Sequence, residues 1–198
     1  MVSPAKPERG RGRPRDEDAR RRILAAALEL MDETAFAQVT MEAIAERAGA
    51  SKTTVYRWWH NKAQLAIEAF REAVAPQLPL RDTGSLQHDL TAQMQNFARV
   101  LSGREGRMLR SFLVAAHCDA EVAEAFRAIW SDPRRAEAKS MLRQKQANGQ
   151  LRKDADLDLV LDSLYGPLYY RFLVKNELPS QKYAESLAAL VIEGLSAE

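Results

Sequence analysis

Hydrophobic residues recur every three or four positions along most of the chain from residue 16 onward. Side chains at this spacing share one face of an α-helix, so the first such stretch predicts a helix over about 17–33. Its hydrophobic positions are Ile23, Ala26, Ala27, Leu30 and Met31. Alanine, leucine, glutamate and arginine dominate, and the sequence has no runs of β-branched residues that would favour a strand. The pattern therefore predicts an all-α fold.

Capping residues divide the next stretch into short helices. Thr40 is a good N-cap for the second helix, and Gly49 is suited to end it because glycine readily adopts the left-handed conformation. Ser51 caps a third helix, predicted over 52–59, and a fourth is predicted from about 61 to 75.

The segment "PQLPLRDTGS" at 76–85 predicts a domain boundary, because prolines and turn residues interrupt helices. Beyond it the hydrophobic spacing predicts six more helices, at 85–102, 104–117, 119–131, 133–147, 156–175 and 180–195. Asp132-Pro133 can be the N-cap and first turn of a new helix, or a kink in one longer helix. The chain is thus expected to have a basic arm (1–15), a small helical domain (16–75) and a larger helical domain (76–198).

Two of the short helices, joined across "GAS" at 49–51, have the length of a helix-turn-helix, whose second helix enters the major groove of DNA. Helical geometry places Val55, Trp58 and Trp59 on one side of that second helix, and Val55 and Trp59 are predicted to lie in the core.

The other side of the same helix has the residue types that contact DNA. It carries Thr53, Tyr56, Arg57 and His60, with Lys52 and Thr54 on its flanks. No aspartate or glutamate occurs between Gly49 and Glu68, whereas an average surface helix mixes both signs of charge. The pattern favours contacts to phosphates and base edges. The alternative is an ordinary amphipathic helix that faces solvent.

These residues also carry a family resemblance. The stretch "TMEAIAERAGASKTTVYRWWHNKAQL" resembles the signature of the TetR family of bacterial transcriptional regulators, and "RRRILAAALELMDE" resembles that family's first helix. The resemblance covers roughly 17–75. Its matching positions are Thr40, Ile44, Ala45, Gly49, Ser51, Val55, Tyr56, Trp59, Lys62 and Leu65. Three positions depart from the family pattern: Ala50 replaces a valine, Trp58 a frequent histidine and Trp59 a phenylalanine.

The resemblance implies a set of DNA contacts. Phosphate contacts are implied for Thr40, Tyr56 and Lys62, and base-edge or mixed contacts for Lys52, Thr53, Thr54 and Arg57. The chemistry of these side chains agrees, because an arginine can pair bidentately with guanine and a rigid tyrosine ring can extend its hydroxyl to a phosphate.

The first fifteen residues carry five basic side chains and one glutamate, and the sequence "RGRGRPR" resembles an AT-hook. Composition predicts that this arm is disordered when free. Arginine is attracted to the narrow minor groove of A·T-rich DNA, so Arg11 and Arg13 are candidates for minor-groove contacts. The alternative is an unstructured tail that adds only sequence-independent attraction.

The larger half shows no catalytic constellation, so we expect no enzyme activity, no cofactor and no metal. His60, His88 and His117 lack the spacing of metal ligands, and Cys118 has no second cysteine with which to form a disulfide. The sequence has neither a membrane-spanning stretch nor a secretory signal, and a cytoplasmic location is expected.

The last two predicted helices, near 156–175 and 180–195, each carry a broad apolar stripe. Each must supply part of the monomer's core, and both can also form a four-helix contact with a second copy, as in TetR-like proteins. The sequence "GPLYYRFLV" resembles the C-terminal domain of one subgroup of that family. Gly166-Pro167 is expected to kink its helix or to let a neighbour approach closely. We therefore expect a homodimer.

The resemblance further implies an effector site inside the larger half. The candidate lining residues are Met94, Phe97, Phe112, Phe126, Trp130, Tyr165 and Tyr169, although each can equally be core. The expected effector is an apolar or aromatic small molecule. The function predicted from the sequence is a sequence-specific, homodimeric and ligand-responsive repressor. Two alternatives are a regulator without an effector and an enzyme or carrier that retains the helix-turn-helix as a scaffold.

Overall fold

The computed structural model describes residues 13–195, with side chains from residue 17. This part of the chain contains no β-strand, and the predicted all-α fold is confirmed. Its ten α-helices are α1 (Arg13–Glu33), α2 (Met41–Arg47), α3 (Lys52–Trp58), α4 (Lys62–Val74), α5 (Leu86–Ser102), α6 (Arg104–Cys118), α7 (Ala120–Phe126), α8 (Asp132–Ala147), α9 (Leu157–Tyr169) and α10 (Gln181–Glu193).

The short helices begin and end where the capping residues predict. The hydroxyl of Thr40 accepts a hydrogen bond from the backbone N–H of Ala43 at the start of α2, and Ser51 caps α3 in the same way. Gly49 ends α2 with a φ of 59°, a left-handed conformation that a side chain would strain. The first helix differs from the prediction: it begins at Arg13, four residues early, so 13–15 of the predicted disordered arm are helical.

The two halves of the chain share one hydrophobic core. Helix α4 packs against α1 in the smaller half and against α6 and α7 in the larger half, while α10 lies along α5. A side-chain bond also crosses between the halves, because the amide of Asn61, the N-cap of α4, donates to the carboxylate of Glu121 in α7 at 2.8 Å. A conformational change in the larger half can therefore displace α4 directly.

Two π-helical segments interrupt the larger half. Arg127–Ser131 joins α7 to α8 without a break, and Tyr170–Val174 extends α9. The prediction of an N-cap at Asp132 was wrong, because Ser131 before it is already helical. Asp132-Pro133 lies within one longer helix, as in the alternative, and a π segment precedes the pair. Pro133 has no N–H to donate to the preceding helical turn, and its ring would clash with a carbonyl oxygen of that turn. The wider π turn before it leaves room for the ring and does not require that hydrogen bond.

An ion cluster around the buried side chains of Lys145 and Asp89 connects α8 to α5 and to the segment that precedes α5. The ammonium group of Lys145 is buried and lies 2.8 Å from the carboxylate of Asp89 and 2.6 Å from that of Asp82. Burial alone would raise the pKa of Asp89, but hydrogen bonds from Lys145 and Thr83 outweigh it and hold this pKa below its usual range. The bond from Lys145 likewise lowers the pKa of Asp82.

Replacing Lys145 with alanine is expected to lower the free energy of unfolding by about 3–5 kcal/mol, because the substitution leaves the Asp89 carboxylate buried without a cation. Urea unfolding at fixed protein concentration measures the loss. Both aspartate pKa values are lowered in the folded state, so this stabilisation is complete above the ordinary aspartate pKa of about 3.9. It fades as the pH falls through the lowered values.

The matched control is Lys175→Ala, which removes an exposed lysine that pairs with Glu177 at 3.1 Å. An exposed pair of this kind contributes below about 1 kcal/mol. Equal losses in the two variants would contradict the role assigned to Lys145.

Candidate nucleic-acid interface and effector cavity

Helix α3 is fixed to the domain by its inward side. Val55 and Trp59 are both buried, as the helical spacing predicts. The indole N–H of Trp59 donates to a carboxylate oxygen of Glu68 in α4 at 2.8 Å, and the other oxygen of Glu68 contacts Arg20 of α1. A buried indole N–H requires a hydrogen-bond partner, and Glu68 supplies it. The phenylalanine of the family pattern has no N–H and would not need this bond.

The outward side of α3 faces solvent. Lys52, Thr53 and Arg57 are exposed, and 44% of Tyr56 is accessible. His60, predicted on the same side, is exposed but lies beyond the end of α3 at Trp58. Trp58 differs from its predicted place beside the core residues, because 38% of it is exposed. It lies at the edge of the inward face, with its ring centroid 6.2 Å from that of Trp59, where α3 ends.

Several of the predicted DNA contacts have partners within the protein, among them Lys52, Thr54 and Thr40. The ammonium group of Lys52 lies 3.1 Å from the carboxylate of Glu42, and the Thr54 hydroxyl lies 2.8 Å from that of Ser51. The Thr40 hydroxyl accepts the capping bond from α2 and still has its own O–H to donate. The Lys52 pair is exposed on both sides and therefore weak, so a phosphate can replace Glu42.

Lys62 points back toward the protein. Its ammonium group donates to the carbonyl oxygens of Phe36 and Ala37, each at 3.2 Å, and lies 4.7 Å from the centre of the Phe36 ring. These contacts fix α4 to the 3-10 turn Phe36–Gln38, which precedes Thr40 and α2. Of the predicted arm contacts, Arg11 lies outside the described residues and the side chain of Arg13 is not described.

A cavity of about 140 Å³ lies in the larger half, between α5, the first π segment, α8 and α9. It is lined by Gln93, Phe97, Trp130, Ser131, Arg134, Arg135, Ala138, Leu161, Tyr165 and Tyr169. The aromatic residues are arranged edge to face, with the Phe97 ring centroid 5.2 Å from that of Tyr165 and 5.4 Å from that of Tyr169. Burial raises the pKa of both tyrosines, so both phenols are neutral at physiological pH.

Four of the seven residues predicted to line the effector site surround this cavity, namely Phe97, Trp130, Tyr165 and Tyr169. The other three do not line it. Phe112 packs between Phe36 and Phe70, at centroid distances of 5.2 and 5.6 Å, and Met94 and Phe126 are buried in the shared core. Helical spacing identifies the apolar face of a helix, but it does not tell which of those residues border a void.

Sequence reasoning missed the polar residues of the cavity. Gln93 is buried, and its side-chain N–H donates to the Tyr165 hydroxyl at 3.1 Å. Its position was a usable signal, because Gln93 falls between Leu90 and Phe97 on the apolar face of α5, where a hydrophobic residue is expected. Arg134 and Arg135 gave no comparable signal, since they lie in the first turn of α8, a helix rich in charged residues.

Neither a bilayer span nor a metal site is found among residues 13–195. None of their helices is long and apolar enough to cross a membrane. In the same range, no group of three or more His, Cys, Asp and Glu side chains is placed to hold a metal ion.

Comparison with known proteins identifies both halves of the chain. Residues 23–69 match the model of the bacterial regulatory proteins of the tetR family, and residues 80–191 match a tetracyclin repressor-like C-terminal domain. The HTH-type transcriptional regulator YdeS of Bacillus subtilis is 38% identical over 187 residues, which are 94% of each chain.

Two further similarities extend over most of the chain. The DNA-binding transcriptional repressor TetR of Mycobacteroides abscessus is 28% identical over 79% of this chain and 83% of its own. The crystal structure of the TetR family transcription regulator SCO0332 superposes with a TM-score of 0.80 at 35% identity, covering 91% of this chain and 100% of that one. The protein therefore belongs to the TetR family and is a DNA-binding transcriptional regulator.

Proposed function

We propose that the protein is a repressor that binds its operator as a homodimer and leaves it when a small molecule occupies the cavity between α5, α8 and α9. The observation that carries the proposal is the outward side of α3. It presents hydroxyls, a lysine, an arginine and an exposed tyrosine on a helix anchored by its opposite side. A bacterial operator-binding protein works at the chromosome, so the proposal places it in the cytoplasm.

In the proposed complex α3 lies in the major groove. Arg57, Thr53, Thr54 and Lys52 contact base edges, or base edges and phosphates together, and Tyr56 and the free O–H of Thr40 contact phosphates. Lys62 is proposed to act in two ways. It contacts a phosphate, and its hydrogen bonds fix the 3-10 turn that precedes Thr40. Arg11 and Arg13 are proposed to follow the adjacent minor groove.

The proposed dimer interface lies on α9 and α10. Along α9 and the π segment after it, one outward stripe consists of Leu159, Ser163, Gly166, Tyr170 and Val174, spaced three or four residues apart. Leu159, Tyr170 and Val174 are large exposed hydrophobics, and a Cβ added at Gly166 would meet nothing within 4 Å. Small residues between apolar ones suit the close approach of a second helix, and exposed apolar patches mark protein interfaces.

The neighbouring helix extends the same patch. Leu190 of α10 is 68% exposed and lies beside Leu159 along a surface groove between α9 and α10. A twofold contact here would bury both helices against their counterparts. It would also present two copies of α3, as an operator with two half-sites requires.

The proposed release of the operator uses a chain of packed aromatic rings. Trp130 borders the cavity, and its ring centroid lies 4.9 Å from that of Phe70 in α4. Phe70 contacts Phe112, Phe112 contacts Phe36, and the Phe36 ring and carbonyl hold Lys62. A ligand that displaces Trp130 would move α4 and the turn that leads into the helix-turn-helix, and so favour a dimer that fits DNA less well.

The alternative regulator without an effector would be supported by a dry, fully packed bundle. A cavity with a buried amide and two phenols supports induction instead. The scaffold alternative predicts that changes on α3 leave DNA binding intact.

Arg57→Ala is expected to weaken operator binding by about 1–3 kcal/mol and to relax the preference at one base pair, because it removes a bidentate base contact. Fluorescence anisotropy with an operator selected from the source genome measures both effects. Arg99→Ala removes the same charge from the exposed part of α5 and should leave affinity within about 0.5 kcal/mol. An equal loss in both variants would show that Arg57 acts only through net charge.

Leu190→Glu is expected to shift the protein from dimer to monomer, because two carboxylates, one from each copy, would be buried at a twofold apolar contact. Sedimentation velocity over a range of concentrations reports the change. Val114→Glu is the control, since Val114 is 63% exposed but belongs to α6 and not to the apolar patch of α9 and α10. If Leu190→Glu stays dimeric, the proposed interface is wrong.

Replacing Arg11 and Arg13 together with alanine is expected to make the operator affinity less dependent on salt. The slope of log K against log salt concentration should become shallower by about 0.9 for each phosphate that the arm no longer neutralises. Lys6→Ala combined with Arg9→Ala removes the same charge farther from α1 and should change the slope less. Replacing A·T pairs beside the half-sites with G·C pairs tests whether the arm binds the minor groove. The wild-type protein should lose affinity for the changed operator, and the Arg11/Arg13 variant should not. Identical slopes in all three proteins would show that the arm does not take part.

A further inference from the structure

We propose that the effector is an uncharged molecule about the size of one aromatic ring that carries an O–H or N–H donor, and that this donor binds the side-chain oxygen of Gln93. The inference rests on the proposed function, because it takes the cavity between α5, α8 and α9 as the effector site. It adds the chemical class of the ligand.

The donor requirement comes from one buried amide. Gln93 is 3% exposed and borders the cavity, and its N–H group is held by the Tyr165 hydroxyl. Its side-chain oxygen is buried and has no hydrogen-bond partner among the described residues. An acceptor buried without a partner costs free energy, and a ligand that donates a hydrogen bond to it recovers that cost.

The size and shape requirement comes from the cavity walls. A volume of about 140 Å³ is close to that of the engineered apolar cavities, about 150 Å³, that hold benzene. Phe97, Tyr165 and Tyr169 already stack edge to face, and Trp130 forms another wall. A single flat ring can join this arrangement at ordinary aromatic distances.

The prediction that the ligand is uncharged follows from the charged residues that line the cavity. Within the described part of the chain no lining residue is an aspartate or glutamate, so a cation would find no counter-ion there. Arg135 is held by Asp158 and Asp162, each at 2.8 Å. Arg134 donates to the carbonyl oxygen of Leu78 at 2.8 Å and lies 3.8 Å from the carboxylate of Glu137. Because both arginines already have carboxylate partners, an anionic ligand would have to compete with these ion pairs. A neutral ligand leaves them intact.

Isothermal titration of the full-length protein with four one-ring probes tests the proposal. Phenol has the ring and the donor, toluene only the ring, anisole an oxygen without a donor, and benzoate a negative charge. Phenol is expected to bind about five- to tenfold more tightly than toluene or anisole, which corresponds to one neutral hydrogen bond, and benzoate is expected to bind most weakly.

Two variants assign the effect to the amide. Gln93→Leu is expected to weaken phenol binding about five- to tenfold and leave toluene binding unchanged, because it replaces the acceptor with an apolar group of similar size. Gln95→Leu makes the same change two residues away on α5, outside the cavity lining, and should leave all four affinities unchanged. Thermal unfolding verifies that both variants are folded.

Three outcomes would overturn the inference. They are anisole or toluene binding as tightly as phenol, benzoate binding most tightly, or no probe binding at millimolar concentration while operator binding is intact. In the last case the DNA-binding function would stand and the ligand class would fail. Phenol that binds through Gln93 but leaves operator affinity unchanged would instead support the ligand class and contradict the proposed induction.

Discussion

The burial of Trp59 determines which side of α3 faces outward. Trp59 fills the space beneath the end of α3, and its indole N–H can enter the core only because Glu68 accepts it at 2.8 Å. Glu68 in turn contacts Arg20, so one hydrogen-bonded group joins α1, α3 and α4. With Val55 and Trp59 turned inward, helical geometry leaves Thr53, Tyr56 and Arg57 no position except the surface. The exposed side of α3 is thus a consequence of how the opposite side is packed.

Helix α4 also connects the helix-turn-helix to the cavity. It serves both halves, because Phe70 packs on Phe112 and Trp130 while the first turn of α4 carries Lys62 and Asn61. Interiors packed this closely transmit small displacements rather than absorb them. Occupation of a cavity beside Trp130 therefore has a short physical route to the segment that positions Thr40 and α2.

The sequence predicted the elements of the fold well, since capping residues and hydrophobic spacing are local signals. Thr40, Gly49 and Ser51 mark real helix ends, and the all-α fold and the family are confirmed. The junction at Asp132 was harder, because a proline after an aspartate fits a new helix as well as a π segment within a continuous one. Local sequence does not separate the two. The sites were predictable to different degrees. The exposed side of α3 follows from helical angles, apart from Trp58, whose exposure depends on where the helix ends. The cavity depends on how α5, the first π segment, α8 and α9 leave space between them, and a sequence contains no direct record of a void. Its aromatic walls were found because they are large residues on apolar faces, and Phe112 was included for the same reason although it packs elsewhere.

The central claim is that a twofold pair of chains places the outward side of α3 against DNA at two sites. A hydroxyl-radical and methylation-interference footprint on the selected operator tests it most directly. The account predicts two equivalent patches of major-groove interference related by a dyad, with centres about 34 Å apart or a multiple of that distance. A single patch, or protection confined to the minor groove, would contradict it.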